Sequence, residues 1–254
     1  MNLNSQPSTE LSGVMVIDKP LRMTSMDVVD FVRMRAGGAK TGHAGTLDPL
    51  ASGVLVMAIG KATKVIDQIM ATDKRYETAI DLSAFTTTDD LAGERTEVDV
   101  PNPPLLADVQ RVIEQFVGSI MQQPPAFSAK KIGGKRAYAM ARKGQDVQLP
   151  PQPVLVHSLE LIDYRWPLLT LRIHCGKGFY VRSLARDVGR ALGTGGHCTA
   201  IRRTAVGPFA LELARPLEEL PSSISQGDLL SIAEALEMTR RDDVAMHKRA
   251  EFKR

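Results

Sequence analysis

The stretch Lys40-Thr41-Gly42-His43-Ala44-Gly45-Thr46-Leu47-Asp48-Pro49-Leu50-Ala51-Ser52-Gly53 runs straight into the apolar segment Val54-Leu55-Val56-Met57-Ala58-Ile59, and it constrains the chain more than any other. Gly42, Gly45 and Gly53 allow positive φ or a close approach of another backbone. Pro49 fixes its own φ and biases Asp48 towards an extended conformation. The six apolar residues are too short a run for a helix crossing a core, and the bounding Gly53 and Gly60 suit a buried strand. Asp48 is therefore a carboxylate on a stiff loop at the mouth of a buried strand, where access of water is restricted, which makes it a candidate chemical group. The plainer alternative is that Asp48-Pro49 opens a turn and His43 caps it.

On either side of this loop the pattern alternates between strands and helices. Val14–Ile17 reads as a short buried strand, followed by Asp18-Lys19-Pro20. Thr24 or Ser25 can cap a helix with Val28, Phe31 and Val32 on one face, ending at Gly37-Gly38. Lys61–Met70 reads as a helix with Val65, Ile66 and Ile69 inward, and Tyr76–Leu82 as a half-buried strand with Tyr76, Thr78, Ile80 and Leu82 on one face. The polar, acidic and proline-rich segment from Thr86 to Pro104 reads as a surface connection. A helix around Val109, Val112, Ile113 and Phe116 ends at Gly118. Strands follow at Val154–Tyr164 and Leu168–Cys175. Gly176-Lys177-Gly178 then turns the chain into a helix with Val181, Leu184, Ala185, Val188 and Leu192 inward, closed by Gly193. The C-terminal part holds a helix through Leu229, Leu230, Ile232, Ala233 and Leu236, then a mixed-charge tail from Thr239 to Arg254, expected to be mobile. No repeat of fixed period occurs.

Length and charge narrow the function classes only modestly. The 254 residues suffice for a sizeable core. The net charge of +3, from 32 basic and 29 acidic residues, neither requires nor excludes a polyanionic partner. Clustering is more informative: Lys130, Lys131, Lys135 and Arg136 lie within seven residues, interleaved with Gly133 and Gly134 and followed by Tyr138. This suits a phosphate-contacting loop; by composition alone it is also an ordinary solvated charge run. Gly134-Lys135 is no nucleotide loop, because Arg136 stands where Ser or Thr is needed.

Cys175 and Cys198 are the only cysteines, too few for a disulfide framework and consistent with a reducing cytosol. Each follows a histidine, but adjacent strand residues point to opposite faces and the spacing matches no zinc template, so no metal is expected from these pairs. Residues 1–12 are expected to be flexible and carry no secretory signal, and no apolar run approaches transmembrane length. The expectation is a cytoplasmic protein.

Four blocks in order resemble the TruB family of tRNA pseudouridine synthases. They are Lys19-Pro20 with Thr24-Ser25, the stretch Gly42–Gly53, Lys74-Arg75-Tyr76, and Gly176–Asp187; Gln122–Tyr138 also resembles the family's tRNA-facing segment, and Ile201–Phe209 its closing core strand. The resemblance covers roughly residues 12–220. One departure is Arg22, where the family usually has glycine, so the shape of that loop is open to question; another is Phe179, in a place where threonine is common. The resemblance implies an α+β chain with the pseudouridine synthase fold: a mixed, mainly antiparallel sheet flanked by helices, with a central basic cleft. It implies a catalytic domain over residues 13–220. Residues 221–254 would form a C-terminal helix and tail, too short for the complete PUA domain that many members carry.

By the same resemblance the chain would isomerise uridine to pseudouridine in the TΨC loop of tRNA, at position 55. The reaction breaks the N1–C1′ bond, rotates the uracil and joins C5 to C1′, with no net redox change, so no cofactor or metal is called for. Asp48 would be the catalytic nucleophile; attack at C1′, attack at C6 and a glycal route all remain open. Arg182 would pair with Asp48, since a buried carboxylate is tolerated only when partnered. Tyr76 would stack on the base, and Tyr180 and Ile201 would line the uracil pocket. His43 would brace the flipped nucleotide or fill the space it leaves. Lys19, Lys130, Lys131, Lys135 and Arg136 would meet phosphates. The tRNA T arm would be the partner of a monomer that needs no other protein. The rival readings are a non-catalytic RNA-binding protein, a pseudouridine synthase acting on another RNA, and a hydrolase built on Asp48 and His43. The first would have no use for the set Asp48, Tyr76, Tyr180 and Arg182; the last lacks a second carboxylate in the loop.

Overall fold

A computed structural model describes residues 11–128, 130–132, 135–137, 140, 147 and 149–251. In chain order the elements are β1 (Gly13–Lys19), α1 (Ser25–Arg35), β2 (Thr41–His43), β3 (Ala51–Ile59), α2 (Ile66–Met70), β4 (Lys74–Asp81), β5 (Ala84–Thr86), β6 (Arg95–Glu97) and α3 (Leu106–Glu114). After these come β7 (Gly118–Gln122), β8 (Lys131–Ile132), β9 (Lys135–Arg136), β10 (Gln152–Arg165), β11 (Leu168–Cys175), α4 (Val181–Leu192), β12 (His197–Val206), β13 (Phe209–Ala210), β14 (Arg215–Pro216) and α5 (Ile232–Glu251). The chain divides into two compact units, Met1–Thr72 with Arg203–Arg254, and Asp73–Arg202.

In the first unit β1 and β3 pair antiparallel from Gly13↔Ile59 to Lys19↔Gly53, which sets Lys19 opposite the last glycine of the Gly42–Gly53 stretch. β2 pairs antiparallel with β3, His43 facing Met57, and β14 pairs parallel with β1. The apolar run is buried as its composition demands: Val54 through Ile59 are at most 1% exposed. On one face of β3, Val54, Val56 and Ala58 join Val14, Val16, Ala62, Ile69, Val206, Phe209 and Ala235 in a core against which Leu230, Ile232 and Met238 pack. α1 begins at the capping residue Thr24, whose side chain accepts from the Asp27 N–H while Asp27 accepts from the Thr24 N–H. The segment expected as one helix over Lys61–Met70 is a 3₁₀ turn at Gly60–Lys64 followed by the short α2; of its three expected inward residues Ile69 is fully buried. α5 continues through Thr239, itself buried, to Glu251, where the sequence suggested a tail. Ser12 is tied down as well, donating its N–H to Gln226 and accepting from the Lys61 N–H. Residues 1–10 lie outside the described part.

In the second unit β4, β11, β10 and β7 pair antiparallel in that order. β11 alternates as expected, with Leu169, Leu171, Ile173 and Cys175 buried. α4 starts at Val181 and ends at Gly193, whose φ of +70° is the left-handed cap glycine supplies without strain. The segment read as a surface connection holds the small hairpin β5–β6, but Asp89 and Asp90 within it are buried. Among the described residues no helix is long and apolar enough to cross a membrane.

Candidate active site

The loop carrying Asp48 is pinned at three points. Ser25, freed from capping because Thr24 does that work, is buried; its hydroxyl accepts from the Leu47 N–H at 2.8 Å and donates to the Leu47 carbonyl at 3.0 Å. Arg203, 2% exposed, spreads its guanidinium over the inside of the loop. It donates to the carbonyls of Val54 (2.8 Å), Gly45 (3.0 Å) and Thr46 (3.3 Å). The Arg22 N–H donates to the Pro49 carbonyl, and the Ala51 N–H to the Asp48 carbonyl. These bonded backbone groups on both sides of a half-buried Asp48 make a carboxylate whose position is set before any substrate arrives.

Gly53 shows why the motif needs glycine there. Its φ is +101°, and a Cβ would lie 2.2 Å from the Arg203 carbonyl oxygen. Arg22 adopts φ +68°, so the arginine takes up the left-handed conformation that glycine would enter freely.

Lys19, expected to meet phosphates, lies inside the protein. It is fully buried, and its ammonium donates to the carbonyls of Met23 (2.7 Å) and Pro20 (2.9 Å). Burial pushes its pKa down to about 8; the Asp48 charge works in the opposite direction, and the Arg203 charge adds to the lowering. It shapes the loop next to Asp48. The His43 pKa is held below its ordinary value, first by burial and then by the Arg203 charge, against a hydrogen bond that the ring donates to the Gly45 backbone. The ring's Nδ1 is enclosed without a hydrogen-bond partner.

The remaining expected residues belong to the second unit. Tyr76 is half-buried on β4, opposite Ile173 of β11. Tyr180 precedes α4 and is clamped by the buried Gln122, which accepts from the Tyr180 N–H at 2.8 Å and donates to its carbonyl at 3.0 Å. Ile201 is buried on β12. Arg182 is 5% exposed; it donates to the carbonyls of Phe127 (2.9 Å) and Thr88 (3.0 Å) and pairs with Asp90 at 3.3 Å. One turn later Arg186 pairs with Asp89 at 2.9 Å and donates to the Gln123 carbonyl. Burial raises the pKa of Asp89, while Arg186 and Arg182 act to lower it. Sequence reasoning missed Asp89, Asp90, Gln122 and Arg203. A signal for the acids was present: Arg182 and Arg186, four apart beside an apolar helix face, need buried carboxylates. Lys130 donates to Gln152, which in turn donates to the Gly178 carbonyl. Lys131, Lys135 and Arg136 lie in the β8–β9 hairpin; their side chains lie outside the described part, as does Tyr138.

Comparison with known proteins gives a consistent result. Residues 33–181 match the description "TruB family pseudouridylate synthase (N terminal domain)" and residues 182–232 match "tRNA pseudouridylate synthase B C-terminal domain". The tRNA pseudouridine synthase B of Corynebacterium efficiens is 46% identical over 231 residues, and that of Arthrobacter sp. FB24 is 42% identical over 232. Each alignment covers 89% of this chain and 76% of the relative. Among solved structures, one chain of a Cbf5-Nop10-Gar1 complex superposes with a TM-score of 0.68 at 27% identity, over 93% of this chain and 69% of that one.

Proposed function

The chain belongs to the TruB family and is an isomerase that converts uridine to pseudouridine in tRNA; from that premise we propose that it acts on position 55, in the TΨC loop, with Asp48 as nucleophile. The observation that carries the residue assignment is the pinned loop: Ser25, Arg203 and Arg22 hold the backbone on both sides of Asp48. A nucleophile that must meet one sugar carbon or one ring carbon gains most from being fixed in advance.

In this reading the uridine leaves its stack and stacks on Tyr76, with Tyr180 and Ile201 against the ring and His43 bracing the flipped nucleotide. Arg182 serves as counter-charge to Asp48. The N1–C1′ bond breaks, the uracil turns, and C5 joins C1′; the C5 proton is lost and N1 gains one, so atoms balance without a cofactor or metal. Lys130, Lys131, Lys135 and Arg136 meet phosphates of the T arm along a basic cleft. Lys19 is left out of that set, because its ammonium is committed to the Pro20 and Met23 carbonyls. The enzyme works in the cytoplasm as a monomer, without a protein partner.

The test is to incubate the purified chain with unmodified tRNA transcripts, map every pseudouridine by carbodiimide adducts and primer extension, and measure the mass of the free protein by light scattering. A single new pseudouridine at position 55 is expected. Modification confined to another position would overturn the assignment of the T loop.

A further inference from the structure

Asp73, His157 and His174 gather within the second unit. Asp73 immediately precedes β4, and His174 of β11 lies opposite Arg75 of β4. His157 reaches them through an irregularity. β10 pairs with β11 as Val156↔Cys175 and then Ser158↔His174, leaving His157 as the extra residue of a β-bulge. Residues along a regular strand alternate between faces, and a bulge is the device that re-aims one of them. Here it brings the His157 ring against that of His174, with centroids 4.5 Å apart.

The polar atoms converge. Nε2 of His157 is 2.9 Å and Nε2 of His174 3.4 Å from the same oxygen, Oδ2 of Asp73. One donor atom from each residue falls within 4.8 Å of the other two. Yet Nε2 of His157 is enclosed and makes no hydrogen bond of acceptable geometry, even at 2.9 Å. Two imidazole nitrogens thus converge on one carboxylate oxygen, one of them off the hydrogen-bond line.

We propose that Asp73, His157 and His174 form a binding site for a divalent transition-metal ion of the zinc class, held by one carboxylate oxygen and the two Nε2 atoms with water in the fourth position. Two imidazoles and a carboxylate are a donor set that zinc accepts. In a tetrahedron with bonds of ~2.0 Å the ligand atoms stand about 3.3 Å apart, and the observed 2.9 and 3.4 Å bracket that edge. The three side chains are 21–28% exposed, which leaves the ion a way in. The ion would join β4, β10 and β11 at the start of the strand that carries Tyr76 three residues on, so its role is to brace that strand.

The test uses the full chain stripped with chelator, in the absence of tRNA, so that it stands or falls independently of the uridine assignment. Titration with zinc chloride in a calorimeter should show one equivalent bound, and zinc at about 100 times its Kd should raise Tm by about 5–10 °C. Cobalt(II) should give the visible bands of a tetrahedral nitrogen and oxygen site. Asp73→Asn and His157→Gln should each weaken binding at least about 100-fold. Absence of binding by the wild-type chain would overturn the proposal without recourse to any variant. So would a thiolate-to-cobalt band, which would place the ion at a cysteine, or affinity unchanged in both variants.

Discussion

The backbone N–H of Arg22 donates to the Pro49 carbonyl at 2.7 Å while Arg22 itself is held at φ +68°. The loop next to Asp48 is therefore closed by a residue in a conformation that costs a non-glycine side chain about 1–2 kcal/mol. Arg22→Gly should keep the hydrogen bond and raise stability by about 0.5–1 kcal/mol, after the larger unfolded-state entropy of glycine is subtracted. Urea denaturation of the two proteins checks this; a loss of stability on substitution would show that the arginine conformation is unstrained.

Asp48→Asn should fold normally and bind tRNA with wild-type affinity, since the loop is held by its backbone and by neighbours. Isomerisation should fall by at least about 10⁴-fold, because an amide is no nucleophile. Filter binding and single-turnover pseudouridine assays separate the two effects. A variant with normal yield would remove Asp48 from the chemistry.

Gly53 and Gly45 offer a contrast. Both have φ near +100°, but a Cβ on Gly53 would meet the Arg203 backbone at 2.2 Å, whereas on Gly45 the nearest atom is Arg203 Nη1 at 3.6 Å. Gly45→Ala should cost about 1–2 kcal/mol, from backbone conformation alone. Gly53→Ala should cost about 3 kcal/mol or more, because the clash is with backbone that cannot turn away. Equal losses in thermal or urea unfolding would contradict the geometry.

Lys19 makes a prediction about alkaline pH. Its pKa falls from 10.5 in the unfolded chain to about 8 in the fold, with burial as the main cause. Between those values the unfolded chain holds the extra proton, so raising the pH favours the folded state there. Relative to Lys19→Met, the wild-type protein should gain stability from about pH 8 to 10.5, and the difference should be flat below pH 8. Unfolding free energies measured across that range would decide; a difference that shrinks as pH rises would reverse the sign.

Much of the fold was legible locally. The Thr24 cap of α1, the Gly193 end of α4, the alternation of β11 and the buried run of β3 depend on residues within one or two turns of each other, and there propensity and periodicity act directly. Asp48 stood out for the same reason, as an acid between glycines and a proline. The sequence also marked Arg22 as a departure whose consequence depended on its φ.

What only tertiary structure decided lies in pairings between distant residues. Arg203 reaches the Gly45 carbonyl across 158 positions and Arg186 reaches Asp89 across 97. No local pattern distinguishes such arginines from solvated ones. Lys19 has the composition of a surface loop, but the register of β1 against β3 puts it opposite Gly53 and inside. His157 owes its place to one extra residue in β10. Local propensity is set by neighbours along the chain, whereas burial and partner choice are set by how the strands register. The sequence by itself therefore singled out Asp48, the acid proposed for the chemistry, and the fold decided what holds its loop in place.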